Sequence, residues 1–266
     1  MSEQSLEACA NSLAELSRRK AIVMVLTGAG ISAESGIPTY RGRGGLWGRQ
    51  HMRAMVEAEA LRRLPRQAWE VLQQMREAIG ASHPNPAHYA LAELEELLRP
   101  GVRLIVVTQN IDGLHQAAGS RNVIELHGNI TRFHCMVCGC QQDWLPLQLA
   151  ALPPRCACGG VIRPDVVLFG EPLPGTAWQE AQAIAQRAEG IIVIGTSLEV
   201  EPAASLPYEA LRHGALAIEV NLDPTAFGNR ANYQFRGFAG QVLPLLVQRL
   251  AHALGRATRR SSVPKA

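Results

Sequence analysis

AIVMVLTGAGISA, residues 21–33, is the stretch from which the fold is read. Ala21–Leu26 is an unbroken apolar run with three β-branched residues. It has strand length, far short of the ~18–20 residues that span a bilayer. A strand apolar on both faces suits a parallel sheet covered by helices on both sides. Thr27 and the G-x-G-x-x-A spacing of Gly28, Gly30 and Ala33 follow at once. Gly28 permits a tight turn, Gly30 lets backbone N–H groups approach a pyrophosphate, and Ala33 lets the next helix pack closely.

Outward from this stretch the pattern repeats. Val102–Val107, Val123–Leu126, Ile191–Ile194 and Leu216–Val220 read as further strands. Glu7–Lys20, Pro86–Leu98, Ala177–Ala188, Ala203–His213 and Gly240–Leu254 read as helices between them. Such alternation predicts an α/β doubly wound, Rossmann-like sheet. Two insertions interrupt it, each after the expected carboxyl end of a strand, where open α/β sheets bind ligands. One, from about Arg43, is Arg-rich and carries a helix near Gln67–Ile79. The other, Thr131–Pro164, holds most of the cysteines.

Composition narrows the classes. The chain has 266 residues, 47% hydrophobic and 18% charged, which excludes a disordered polymer, a collagen-like repeat and a small disulfide-stapled peptide. A net charge of +3 forces neither a nucleic-acid nor a membrane partner. The N-terminus lacks the apolar core of a secretory signal, so a cytoplasmic location is expected. Five of the six cysteines fall in the second insertion. Cys135-x-x-Cys138 with Cys156-x-Cys158 reads as a closed, structural four-thiolate zinc site, with Cys140 as a fifth candidate ligand.

Three more motifs sit at strand ends. Thr108-Gln109-Asn110-Ile111-Asp112-Gly113-Leu114-His115 gathers polar side chains that suit a ligand, or simply turns and caps. Glu125-Leu126-His127-Gly128 offers a histidine as general base. Gly195-Thr196-Ser197-Leu198-Glu199-Val200-Glu201-Pro202 reads as a second phosphate-facing turn. Arg163–Glu171 is an extended return from the cysteine module. No strand ending in Asp or Glu follows the glycine loop by ~20 residues, which counts against a nicotinamide dehydrogenase. A zinc-ribbon nucleic-acid binder would explain the cysteines and the Arg41–Arg53 loop, but neither His127 nor the Asn110/Asp112 pair.

Taken together and in this order, GAGISAESGIPTYRG, TQNIDGLH, ELHG, CxxC…CxC, RPDVVLFGE, GTSLEVEPA and Ile218-Glu219-Val220-Asn221 resemble the sirtuins, NAD-dependent protein deacylases, of the bacterial type. The resemblance runs from about Ala21 to Leu250. It implies a Rossmann-like NAD-binding domain (1–42, 85–130, 165–254) and a small domain joining a helical insertion (43–84) to a zinc-ribbon module (131–164). A disordered basic tail (255–266) follows. It implies that Gly28, Ala29, Gly30, Ser32, Tyr40, Arg41, Gln109, Asn110, Ile111, Asp112, Gly195, Ser197 and Asn221 bind NAD. Asn110 and Asp112 would serve the nicotinamide end, and His127 would be the general base. Val167, Phe169, Gly170, Glu171 and Val200 would line an acyl-lysine channel and pair the substrate peptide as an added strand. The function implied is transfer of an acyl group from protein lysine to ADP-ribose. Mono-ADP-ribosyl transfer is the alternative on the same fold.

Two departures are informative. Tyr40 stands where the family usually has Phe. Family members that prefer succinyl or malonyl groups carry a Tyr-x-x-Arg pair in the helical insertion. Leu72 and Met75 occupy those places here and share a helix face by i, i+3. Neither can hold a carboxylate, so acetyl or longer apolar acyl groups are expected, unless Arg76 serves instead.

Overall fold

The computed structural model describes residues 2–39, 54–142 and 152–257. Its main sheet contains β1 (Ala21–Thr27), β2 (Val102–Thr108), β3 (Val123–Glu125), β7 (Gly190–Ile194), β8 (Leu216–Asn221) and β9 (Tyr233–Arg236). The order is β3-β2-β1-β7-β8-β9, and every neighbouring pair is parallel. The chain winds outward from β1 to β3, then returns to the other side of β1. The winding therefore reverses between β1 and β7, where doubly wound sheets bind ligands.

Period-two alternation sends the side chains of β1 to two cores. Val23 and Val25 meet Leu13 of α1 (Glu3–Ser17), Leu91 and Leu94 of α4 (Pro86–Leu98), and Leu246 of α8 (Ala239–Ala253). Met24 and Leu26 face Ile184 of α6 (Gly175–Ala185), Leu206 of α7 (Leu206–Arg212) and Phe227.

The insertions build a third core. β4 (Gly128–Cys135), β5 (Gln141–Gln142) and β6 (Ile162–Val166) form an antiparallel sheet ordered β5-β4-β6. α2 (Ala58–Arg63) and α3 (Pro65–Gly80) pack on it. Trp69 of α3 is fully buried and stacks on Phe133 of β4, ring centroids 6.3 Å apart and 13° from parallel. Its Nε1–H donates to the Ile162 carbonyl at 2.6 Å. Leu72 completes this shared core with Ile130 and Val166.

Several elements differ from the sequence-based expectation. α1 starts at Glu3 because Ser2 caps it, accepting the Ser5 N–H. The glycine loop opens into a 3₁₀ turn, Ala29–Ser35, instead of a long helix. The expected helix 203–213 begins as 3₁₀ at Ala203–Ser205 and becomes α-helical from Leu206, with Pro207 in its first turn. α2, β4 and the short edge strand β9 carry no apolar run long enough to announce them. No helix among the described residues is long and apolar enough to cross a membrane. Positions 258–266 of the expected tail lie outside the described residues.

Candidate active site

Strand register sets the site. Thr27 pairs with both Thr108 and Ile194, and Thr108 pairs with Glu125. The residues that follow β1, β2, β3 and β7 therefore emerge at one level, around the point where the winding reverses.

The glycines press two loops together. A Cβ on Gly28 would stand 2.7 Å from Thr196 Cβ, and one on Gly30 would stand 2.7 Å from Gly195 Cα. Gly195 has φ +59°, and its Cβ would meet the Ile31 nitrogen at 2.4 Å. The Gly30 N–H donates to Gly195 O at 2.8 Å, and the Gly28 N–H donates to Ile194 O at 3.1 Å. The Gly30 N–H itself is used in loop packing, so the N–H groups that this close approach leaves for a ligand are those of its neighbours. Ala33 is half-buried within the 3₁₀ turn. Among the described residues, the N–H groups of Ala29, Thr196 and Ser197 have no internal acceptor. Free N–H groups on facing loops suit an anion such as a diphosphate. Thr196 belongs to the phosphate-facing turn read from the sequence, although the family resemblance did not place it among the NAD positions.

Side chains cross-link the loops. Asn110 is buried, and its Nδ2 donates to Gly28 O and to Ser32 Oγ, both at 3.1 Å. Ser32 Oγ–H donates to Asp112 Oδ2 at 2.7 Å, and the Leu114 N–H donates to Oδ1 at 3.0 Å. Burial raises the Asp112 carboxyl above its ordinary value, against the lowering effect of those two donors. Gln109 Nε2 donates to Thr196 Oγ1 at 3.0 Å, and Asn221 Nδ2 donates to Thr196 O at 2.9 Å. Ile111 reaches into the third core, and its carbonyl accepts the Ile130 N–H at 3.0 Å. Tyr40 and Arg41 lie outside the described residues.

His127 stands 2.7 Å from the Gln109 carbonyl through Nδ1. A carbonyl only accepts, so the proton of the neutral ring sits on Nδ1 and the Nε2 lone pair is free. Burial lowers its pKa below the ordinary histidine value, with the Gln109 bond opposing. The ring is thus held neutral and oriented, with the properties of a general base.

A buried polar chain lies behind these loops, and the sequence reading passed over most of it. Thr27 Oγ1–H donates to Thr108 Oγ1 at 2.8 Å, and Thr108 Oγ1 accepts the Asn110 N–H at 3.0 Å. His115 Nε2 lies 3.0 Å from Thr27 Oγ1; since that hydroxyl gives its proton to Thr108, Nε2 is the donor. His115 Nδ1 is then a bare acceptor. His88 Nδ1 accepts the Asn85 N–H at 3.3 Å, which leaves its proton on Nε2. The two rings meet edge to face at 5.0 Å, with His88 Nε2 and His115 Nδ1 the atoms left unpaired. Burial pushes His88 down to about 3 and His115 down to about 4, both from 6.5.

Folding therefore excludes protons that the unfolded chain accepts below pH 6.5, so stability falls as pH drops from there toward about 4. Each histidine contributes a slope of about 1.4 kcal/mol per pH unit in that window. His115→Gln is expected to remove its share of the slope. Denaturant melts at stepped pH, wild type against variant, check this; equal slopes would contradict it.

The expected substrate residues spread over several settings. The Val167 N–H donates to His127 O at 2.9 Å, tying that run to the base. Phe169 is half-exposed, and its backbone is already committed: its N–H donates to Val56 O at 3.1 Å and its carbonyl accepts from Ala58 at 2.9 Å. Glu171 is bound to buried Arg163, Oε1 to Nη1 at 2.5 Å, and its Oε2 accepts the Leu168 N–H at 2.8 Å. Burial would raise Glu171, but Arg163 and Leu168 hold it below the ordinary carboxylate value. It shapes the turn around Gly170, whose φ is +87°. Val200 is half-buried. Leu72 is fully buried in the third core, Met75 packs against that core, and Arg76 Nε donates to Gln73 on its own helix at 3.1 Å. A groove of about 1160 Å³ runs past Val167, Phe169, Gly170 and Glu171 to Gly128 and Glu125.

The metal residues fit a tetrahedral ion. One sulfur each from Cys135, Cys138, Cys156 and Cys158 lies within 4.8 Å of all the others. The Cys135–Cys158 and Cys138–Cys156 separations are 3.5 and 3.8 Å. Zn–S bonds of 2.3 Å at tetrahedral angles give edges of about 3.8 Å. The C-x-C pair closes through a tight turn, in which the Cys156 N–H donates to Gly160 O at 2.8 Å and Gly159 has φ +83°. A Cβ on Gly160 would fall 2.6 Å from Cys135 Sγ, so the glycine keeps room for the sulfurs.

A sequence model of the Sir2 family matches residues 28–202. NAD-dependent protein deacylase 2 of Pyrobaculum aerophilum is 46% identical over 242 residues, covering 91% of this chain and 95% of that protein. A solved Sir2 homologue in complex with NAD superposes with TM-score 0.84 at 40% identity, over 93% of this chain and 94% of the other. A Sir2 variant holding a deacetylated p53 peptide and 3′-O-acetyl-ADP-ribose gives 0.81 at 34% identity, over 92% and 98%.

Proposed function

The chain belongs to the Sir2 family, and from that membership and the site we propose that it is an NAD-dependent protein-lysine deacylase. The observation that carries the reading is His127, neutral, with Nδ1 pinned by Gln109 and Nε2 free, at the meeting point of the strand-end loops.

The N–H groups of Ala29, Thr196 and Ser197 would receive the NAD diphosphate. Asn221, Ser32 and Gln109 would hold the riboses, and Tyr40 and Arg41 would close over them. Gly28, Gly30 and Gly195 give the loops their shape. When bound, NAD supplies an electrophilic ribose carbon with nicotinamide as its leaving group, and hydroxyls that accept the acyl group. Asn110, Ile111 and Asp112 orient the nicotinamide end. His127 Nε2 would take the proton of a ribose hydroxyl and so ready that oxygen to bond the acyl carbon, the proton ending on the lysine amine whose bond to that carbon breaks. Val167, Phe169, Gly170, Glu171 and Val200 would hold the acyl-lysine segment and exclude water from the reacting carbon. Because the Phe169 backbone already pairs with Val56 and Ala58, peptide pairing there must use its neighbours.

The same reading divides the chain into an NAD-binding domain (1–42, 85–130, 165–254) and a small domain (43–84 with 131–164), and leaves 255–266 as a tail. The four thiolates hold a structural zinc, with no open position for water and no catalytic step. The substrates are acylated proteins, and neither a membrane nor a nucleic-acid partner is needed. Six cysteines with no disulfide between them suit a reducing, cytoplasmic setting.

The test is mass spectrometry of the protein with NAD and an acetyl-lysine peptide. Deacetylated peptide together with acetyl-ADP-ribose supports the reading. Nicotinamide release with the peptide still acetylated and a mass gain on protein points to mono-ADP-ribosyl transfer. Intact NAD, with acetyl and longer apolar acyl peptides alike, refutes the enzyme reading.

Leu72 and Met75 predict the acyl preference. Acetyl and longer apolar acyl peptides are expected to react at least ~10-fold faster, by kcat/KM, than the succinyl peptide, because an unpaired buried carboxylate is costly. Paired rate measurements check this. A succinyl rate above the acetyl rate would bring Arg76 into the pocket and overturn it.

A further inference from the structure

The zinc module has five thiols for four positions. Cys140 Sγ lies 3.1 Å from Cys138 Sγ and 3.4 Å from Cys156 Sγ. Its place follows from the local backbone. The Gly139 N–H donates to Cys135 O at 3.0 Å, Gly139 turns with φ +70°, and the Cys135 N–H donates back to Cys140 O at 3.0 Å. This closed knuckle folds Cys140 back over one edge of the sulfur tetrahedron, the Cys138–Cys156 edge.

The opposite edge is built differently. Cys135 is buried, its sulfur accepts the Val137 N–H at 3.4 Å, and Gly160 packs beneath it. Its sulfur neighbour across the module is Cys158, exposed, at 3.5 Å. Cys138 and Cys156 each lie nearer to Cys140, at 3.1 and 3.4 Å, than to each other, at 3.8 Å.

We infer that Cys140 is a reserve zinc ligand, which takes the metal when Cys138 or Cys156 is lost but cannot replace Cys135 or Cys158. The inference rests on the zinc reading of the module. The exchange changes no oxidation state: the Cys140 thiol gives its proton to solvent as its sulfur binds, and the departing sulfur takes one up. Four thiolates surround the ion before and after. A site of this kind keeps its metal after damage to either ligand of the Cys138–Cys156 edge.

The test uses the full chain, with zinc per protein measured by elemental analysis after gel filtration. C140S is expected to hold one zinc, as the wild type does. C138S and C156S are each expected to keep it, with release to a chelator no more than about 10-fold faster. C138S/C140S and C156S/C140S are expected to lose it, as are C135S and C158S. Cobalt-loaded C138S should retain the absorption of a four-thiolate ion, which distinguishes Cys140 from water or serine as the fourth ligand and does not depend on zinc yield. Loss of zinc from C138S and C156S as complete as from C135S would overturn the inference. So would loss from C140S alone, which would make Cys140 a primary ligand. A wild-type chain without zinc would remove the zinc reading itself.

Discussion

His127→Ala is expected to lower turnover of an acetyl-lysine peptide by roughly 10²–10⁴-fold, the range for loss of a positioned general base. NAD binding should stay within a few-fold, because the ring gives one hydrogen bond, to the Gln109 carbonyl, and Gln109 is also held by Thr27 and Thr196. The pH dependence has a definite sign. Burial lowers the pKa of His127, so the basic form persists to lower pH than for a free histidine. The acid limb of kcat/KM should fall below the ordinary histidine range and vanish in the alanine variant. His127→Gln should be as slow as alanine, since an amide can hold the Gln109 contact but cannot take the proton. Titration calorimetry with NAD and peptide turnover by mass spectrometry separate binding from chemistry. A variant that turns over within threefold of wild type would remove His127 from the mechanism.

The second large effect belongs to a residue without a side chain. Gly195→Ala puts a methyl group 2.4 Å from the Ile31 nitrogen and 2.7 Å from the Gly30 carbonyl carbon, at φ +59°. Left-handed backbone alone costs an alanine about 1–2 kcal/mol, and overpacking against backbone adds about 1–3 kcal/mol. The thermal midpoint should fall by roughly 4–20 °C at the usual conversion for a chain of this size. KM for NAD should rise more than ~10-fold, because the displaced loops carry the free N–H groups. Gly214→Ala is the control. It shares a positive φ of +81° but would have open space around its Cβ, so it should show the conformational cost without the clash or the KM effect. Equal losses in the two variants would show that the loop contact does not matter.

Much of this was legible in the sequence because the parallel strands are buried on both faces. Ala21–Thr27 and Val102–Thr108 could be read almost to the residue from apolar continuity. The elements that escaped have half their surface in contact with solvent or charge. β9 is four residues, Tyr-Gln-Phe-Arg, and only Phe235 is buried. The cysteine spacing named the metal residues, since ligand geometry is local. It could not rank Cys140, because that ranking depends on how Gly139 turns. The strand-end motifs marked His127, Asn110, Asp112, Gln109 and Ser32, but not how they pair. Gln109 as the acceptor that fixes the histidine tautomer follows from β2 lying beside β3, and His115 behind Thr27 joins residues 88 apart in sequence. The packing partner of Gly30 was hidden for the same reason. What Gly30 approaches is Gly195, and no local pattern shows that.

The stacking of Trp69 on Phe133 carries a consequence for selectivity. Phe133 lies two residues before Cys135 on β4, while Trp69 lies one helical turn before Leu72. One packed core thus joins the strand that presents a metal ligand to the helix face expected to meet the acyl chain. If that face meets the acyl chain, metal occupancy and choice of acyl chain are expected to be linked through that core. A partly demetallated preparation would accept a broader range of acyl groups before it lost the ability to bind NAD, and substrate profiles would be comparable only between samples of equal metal content.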